Sequence, residues 1–234
     1  MKLVILGSSL LLIAISWPTV AQQKAEPQHK MVEFHMALLK PGPKWSANDV
    51  EQRKWAVNAL KDQIASLLES GKAVIAGLVA DHNDLAAIYV LRASSAEEAK
   101  AWAEADPLVK GSYLKAELHP WWSEEVMKKP TTPIKFATAY LAFLTRGPKW
   151  TPERTPQTEE IQKAHMANIN RLAETKKLVV AGPFGDNGQL RGIFVFKVAS
   201  LEEAKELAAT DPAVKASRLA LDVHTWLVPE GILP

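Results

Sequence analysis

The chain has no cysteine. This absence excludes disulfides, a thiolate nucleophile and lipid attachment through cysteine, so packing alone must hold the fold together. Glycine is sparse as well, 11 of 234 residues, and none falls in a Gly-x-Ser-x-Gly elbow or a glycine-rich phosphate loop. No two of the six histidines stand at the helical spacing of paired metal ligands. Charge of one sign is missing too: 28 Lys and Arg against 26 Asp and Glu leave a net charge of +2, which gives no electrostatic footprint for nucleic acid. What is present is ordinary for a globular protein, 47% hydrophobic and 23% charged residues over a length that suits one or two domains.

The longest apolar run, Leu3 to Ile15, is short of the ~20 residues a membrane span wants. Met1-Lys2 gives it a positive start, Pro18 breaks it, and Thr19-Val20-Ala21 offers small residues for cleavage before Gln22. The pattern predicts a secretory signal peptide over 1–21 and a periplasmic or secreted protein with no membrane attachment after cleavage. Polar linkers are expected at 22–30 and 128–133.

The remainder is written twice. Residues 31–122 and 136–227 repeat without a gap, 105 positions apart. Gly42-Pro43-Lys44-Trp45 answers Gly147-Pro148-Lys149-Trp150, Ala76-Gly77 answers Ala181-Gly182, and Asp106-Pro107 answers Asp211-Pro212. His119-Pro120-Trp121 answers His224-Thr225-Trp226. Each copy is therefore one supersecondary unit, repeat 1 over 31–127 and repeat 2 over 134–234.

In the second copy, 134–144 reads as a strand and 156–175 as an amphipathic helix with Ile161, Ala164, His165, Ile169 and Leu172 on one face. Strands follow at 178–183 and 190–198 across the Gly185-Asp186-Asn187-Gly188 turn. Ser200 caps a second helix with Glu203 as its capping-box partner, and a last strand runs from Ser217 to Leu227. The order βαββαβ is the split ferredoxin-like unit. Two helices cover one sheet face, and a twin covers the other, so the expected fold is α+β: tandem units paired as a dimeric α+β barrel pseudo-dimer.

His165 sits at the centre of its apolar stripe, where the first copy has Leu60 flanked by Val57, Ile64 and Leu67. Such a histidine either satisfies its nitrogens within a core or lines a cavity, since an unpaired buried polar group costs about 1–3 kcal/mol. Asp211-Pro212 and Asp106-Pro107 read as N-cap and first turn of short helices. In the second copy the carboxylate also has a histidine to orient, which would fix its tautomer and prepare a general base. His224 and His119 lie on the closing strands, sharing a side with Asp222 and Trp226 or with Glu117 and Trp121. His224 and Trp226 are candidates for a cleft between the sheets, with a structural role as the competing reading. Trp150, like Trp45, is a candidate lid over a ligand, with packing over a barrel end as the alternative.

His165, Ala181-Gly182-Pro183-Phe184, Glu202-Glu203-Ala204, Asp211-Pro212 and Trp226 together resemble the YCII-related (YciI-like) domain. The resemblance implies a ferredoxin-like dimeric α+β barrel and a histidine–aspartate site, which falls on His165 and Asp211. A relative that removes chloride from a chlorinated hydroxyhydroquinone implies that lyase-type proton chemistry suits the scaffold. The first copy keeps Ala76-Gly77, Glu97-Glu98-Ala99, Asp106-Pro107 and Trp121 but has Leu60 and Leu78 for the histidine and the proline, and so resembles a half that has lost the dyad. The expectation is a small-molecule lyase, isomerase or hydrolase with His165 as acid or base and Asp211 orienting it. The alternatives are a non-catalytic ligand-binding or scaffold protein, and a cofactor-free monooxygenase acting on a quinol-like substrate. No sequence feature asks for a cofactor or metal, and pseudo-dimers of this kind can assemble further into homo-oligomers.

Overall fold

The computed structural model describes residues 30–80 and 84–234. The expected signal peptide and the 22–30 linker, apart from Lys30, lie outside the described residues. Each repeat forms the βαββαβ unit with one short helical turn added before its last strand. The first contains β1 (Met31–Pro41), α1 (Val50–Glu69), β2 (Ala73–Val79), β3 (Ala87–Leu91), α2 (Ala96–Glu104), α3 (Pro107–Lys110) and β4 (Leu114–Glu124). The second contains β5 (Phe136–Arg146), α4 (Pro156–Glu174), β6 (Leu178–Pro183), β7 (Leu190–Phe196), α5 (Leu201–Ala209), α6 (Pro212–Lys215) and β8 (Leu219–Pro229).

Local chemistry starts the helices. Thr155 and Thr158 cap α4 reciprocally, and Pro156 fills the first turn, where its missing N–H leaves nothing unsatisfied. Ser95 and Ser200 accept from the Glu98 and Glu203 amides. The Glu203 carboxylate accepts from the Ala199 amide, one residue before the Ser200 amide that a strict capping box would use. Strand ends follow their partners instead: β5 starts and stops two residues later than the 134–144 stretch because it pairs with β8 from Phe136↔Pro229 to Arg146↔Leu219.

The strand order is β4-β1-β3-β2-β8-β5-β7-β6, two ferredoxin-like sheets joined edge to edge. A Trp121↔Phe184 bridge and a Gly185 N–H bond to the Pro120 carbonyl (2.7 Å) join β4 to β6 and close the barrel. Period two along β1 and β5 feeds two cores, which is why both strands are nearly continuous apolar runs. Phe34, Met36, Leu141 and Phe143 point into one interior shared by both repeats. Ala37, Leu39, Ala142 and Leu144 face the helices of their own repeat. Pairing the two halves is thus what covers the second face of each sheet. The 128–133 connector is part of the fold as well: Lys128 N–H bonds the Ile232 carbonyl and Thr131 N–H that of Glu230, while Ile232 and Leu233 seat in the shared core.

The repeated Ala-Gly pair marks the two seams. A Cβ on Gly77 would lie 2.5 Å from the Leu227 carbonyl oxygen of β8, and one on Gly182 would collide with the Trp122 carbonyl of β4. Only glycine lets backbones approach so closely. At the β4–β6 seam, Trp121 Nε1 also donates to the Gly182 carbonyl (3.1 Å). There His119 places Nδ1 2.6 Å from Asp186 of the other repeat and Nε2 2.9 Å from Glu117, which pairs with Lys40 at 2.7 Å.

Candidate active site

The two long helices carry the same apolar positions but seat differently. On α1, Ala56, Leu60, Ile64 and Leu67 are all buried against the sheet, and Val57 lies outside that face, 40% exposed. Of the equivalent Ile161, His165, Ile169 and Leu172 on α4, only Leu172 is fully buried. The gap left between α4 and strands β6 and β7 is a cavity of about 950 Å³, lined among others by Trp150, Ile161, His165, Ile169, Arg191 and Phe194.

His165 is in the wall of this cavity. Its Nδ1 is 2.7 Å from Asp211 Oδ2, and its ring stacks on Phe194 with centroids 6.0 Å apart. Asp211 is fully buried and divides its two oxygens between two tasks. Oδ1 accepts from the Ala213 and Val214 amides, capping α6, while Oδ2 meets the imidazole. Capping and orienting are therefore both satisfied. An ionised carboxylate can only accept, so Nδ1 carries a proton, and in the neutral imidazole Nε2 presents its lone pair. Nε2 has no hydrogen-bond partner among the described residues. A polar clasp flanks the pair: Arg171, on α4, donates to Asn168 Oδ1 (2.7 Å) and to the hydroxyl oxygen of Thr210 (3.3 Å), the residue before Asp211.

Repeat 1 solves the same electrostatic problem differently. Asp106 is also buried, its Oδ1 accepts from the Leu108 amide, and its Oδ2 accepts from the Tyr89 hydroxyl at 2.9 Å. Tyr89 is the counterpart of Phe194, and Leu60 that of His165. The side-chain donor to the aspartate has exchanged places, from strand to helix, between the copies. Sequence reasoning missed Tyr89, although comparing the copies position by position carries the signal: a hydroxyl stands in one where the other is apolar. Burial, followed by the negative charge of Asp106, pushes the Tyr89 hydroxyl well above its usual range, and burial raises Asp106 too. A raised tyrosine contributes stability that is complete below about pH 10 and lost as pH climbs through its folded value. Tyr89→Phe is expected to cost about 1–3 kcal/mol at pH 7 and to flatten the alkaline decline. Urea unfolding at pH 7 and pH 11 measures both, and an unchanged midpoint at pH 7 would show that the hydroxyl contributes nothing.

The other sequence candidates separate. Trp150 stands at the cavity, its ring covered by the Arg146 guanidinium at 4.0 Å from the centroid. His224 and Trp226, the candidates for a cleft between the sheets, do not line this cavity. They alternate with Leu221 and Val223, which face the helices, so they point into the barrel interior on the opposite side of the sheet. There His224 packs edge-on against Phe143, with Nε2 3.1 Å from Asp222. Among the described residues, no three His, Asp or Glu side chains converge as a metal site.

The sequence profile of the YCII-related domain matches residues 21–122 and 140–226. This chain belongs to the YCII-related family. The family match covers both repeats, so each copy is a YCII-related unit and the barrel joins two of them in one chain. Uncharacterized protein YjpA of Bacillus subtilis (strain 168) is 34% identical over 76 residues, 31% of this chain and 87% of that protein, about the size of a single repeat. In fold the chain is similar to chlorite dismutase from Candidatus Nitrospira defluvii. A doubly substituted variant superposes with TM-score 0.52 at 14% identity, covering 86% of this chain and 92% of that one. A variant in complex with cyanide gives 0.51 at 13% identity, covering 85% and 91%. The YCII-related units are thus assembled here as a dimeric α+β barrel within one polypeptide.

Proposed function

We propose that this YCII-related protein is a small-molecule enzyme of the lyase, isomerase or hydrolase type, with His165 as general base and then acid and Asp211 orienting it. One observation carries the reading: an imidazole in the wall of a 950 Å³ cavity is anchored at Nδ1 by a buried carboxylate, and its Nε2 has no partner among the described residues. Nε2 removes a proton from a substrate carbon acid or from water. The Asp211 carboxylate stabilises the imidazolium that forms, and the proton is returned to the product or leaving group. Repeat 1 has no such base, so the pseudo-dimer carries one site. Secretion, expected from residues 1–21, places the enzyme outside the cytoplasm.

The test is turnover of a panel of small aromatic acids, lactones and quinols by wild type and by His165→Gln. A loss of about 10²–10⁴-fold in kcat is expected. Undiminished turnover in the variant would remove His165 from the chemistry, and binding without turnover at any pH would favour the non-catalytic alternative.

A second reading follows from the same geometry, because an imidazole whose other nitrogen is fixed by a carboxylate is also how a metal-ligating histidine is held. The cavity volume, the apolar wall of Ile161, Ile169 and Phe194, and Arg154, Arg191 and Arg218 in its lining suit a haem. His165 would then hold the iron and the arginines the propionates, and the group would supply redox chemistry. Titration with haemin decides: a Soret band in wild type that is lost in His165→Leu supports this reading, and a spectrum of free haemin in both rules it out.

A further inference from the structure

The cavity of repeat 2 differs from the same region of repeat 1 in more than the histidine. Its lining includes Arg154, Arg191 and Arg218, where the first copy has Asp49, Ala86 and Tyr113. A fourth arginine, Arg146, stands where the first copy has Pro41. The first copy has its own cations in this region, Arg53, Lys54 and Lys61, where the lining has Thr158, Glu159 and Met166, so what distinguishes the second copy is that the arginines of its lining lie on loops and on β7 and not on the helix. Arg146 and Arg191 share the ring of Trp150, with guanidinium carbons 4.0 and 5.5 Å from its centroid. That puts two like charges within roughly 10 Å of each other, about one Debye length at physiological salt. Among the described residues, neither of these arginines nor Arg218 has a carboxylate partner. Arg146 donates to the Asn187 carbonyl, Arg191 Nη1 to the Asp186 carbonyl at 3.3 Å, and Arg218 to the hydroxyl and carbonyl oxygens of Thr151.

Arg191 is the best placed of them. The pairing of β5 with β7 skips one residue between Gly192 and Leu190, so Arg191 stands out of the ladder at a bulge, two residues from Ile193 and three from the Phe194 that stacks on His165. Bulges re-aim side chains in this way. The fork of donors on Arg191 spends only the one bond to Asp186, leaving an edge suited to a planar carboxylate. Glu124, Glu153 and Glu159 also line the cavity. With Lys163 in the lining beside Arg154, Arg191 and Arg218, four cations against three carboxylates leave a formal charge of +1, which favours a monoanion over a phosphate dianion. An apolar stretch of the wall is formed by Ile161, Met166, Ile169 and Phe194, beside the polar Gln162 and Asn170.

We propose that the substrate is a small carboxylic acid with an apolar or aromatic body, its carboxylate on Arg191 beside Trp150 and its body along α4, which brings its reacting end to Nε2 of His165. This rests on the reading of His165 and Asp211 as an acid–base pair and adds the substrate class to it.

The experiment compares phenylacetate, 4-hydroxybenzoate and mandelate with their neutral amides. Binding is read from thermal shifts and calorimetry at 20 and 200 mM salt, on wild type, Arg191→Gln, Arg191→Lys and His165→Gln. At least one acid is expected to bind wild type ten-fold or more tightly than its amide, and less tightly at high salt. Arg191→Gln should remove that preference, and Arg191→Lys should restore part of it. Equal binding of acid and amide, a preference that survives Arg191→Gln, or no acid bound at 10 mM would each overturn the proposal. His165→Gln separates the two claims. If the acid–base reading alone is wrong, the carboxylate preference persists in wild type and His165→Gln while no panel member is turned over by either. If the substrate class alone is wrong, neutral molecules are turned over in a His165-dependent way without regard to Arg191.

Discussion

His165→Leu is expected to lower stability by about 1–3 kcal/mol, and adding Phe194→Tyr to it is expected to restore most of that loss. Leucine at this position looks harmless from the first repeat, where Leu60 is a buried core residue. The tertiary structure says otherwise. Leu60 is tolerated because Tyr89 supplies the hydroxyl that bonds Asp106, whereas in repeat 2 the Tyr89 position is Phe194 and Asp211 Oδ2 depends on the imidazole. Removing His165 alone leaves one oxygen of a fully buried carboxylate without its side-chain donor, and that is the costly half of a broken hydrogen bond. Phe194→Tyr rebuilds the repeat 1 solution at the equivalent place. For a protein of this size the single variant should melt roughly 2–12 °C below wild type, at about 2–4 °C per kcal/mol. The double variant should return to within a few degrees. Turnover should be lost in both, because neither has an imidazole to act as the base. A double variant no more stable than the single one would show that the two aspartates are not held by equivalent networks.

The second large effect is expected at a seam. Gly182→Ala puts a Cβ into the Trp122 carbonyl, backbone against backbone, where no rotamer relieves the clash. Strand β6 must move off β4. The Gly185 to Pro120 bond and the Trp121 indole bond to the Gly182 carbonyl are then lost together. A loss of about 3 kcal/mol or more is expected, at or beyond the top of the usual range for single substitutions. Two long strand edges would also be freed, and free edges pair with other chains. Denaturant unfolding reads the first consequence. Light scattering after size exclusion reads the second, as a concentration-dependent rise in mass over wild type. Gly182→Ala with wild-type melting and wild-type mass would show that the barrel does not need this approach.

These two sites also separate what could be read from the chain and what could not. Helix caps, the alternation in β1 and β5 and the 105-residue repeat are relations among near neighbours or between copies, and they were legible. The helical period aims His165 at the sheet, but its pairing with Asp211, 46 positions away, was implied by the resemblance to the YCII-related domain and not by any local pattern. The face assigned to His224 and Trp226 was legible too, but which face would hold the cavity was not. The same alternation fits a cleft in the barrel and a cleft under the helix.

The sequence by itself determined two ferredoxin-like units, their helix starts and the copy that holds the histidine. Only the tertiary structure decided that α1 closes on its sheet while α4 stands off, that Tyr89 replaces the histidine's bond in the first repeat, and that the barrel shuts at Gly77 and Gly182. The reason is physical. Local pattern depends on residues a few positions apart, whereas the seating of a helix and the closing of a seam depend on side-chain volumes and buried charges brought together from distant parts of the chain, each small and decisive only in sum.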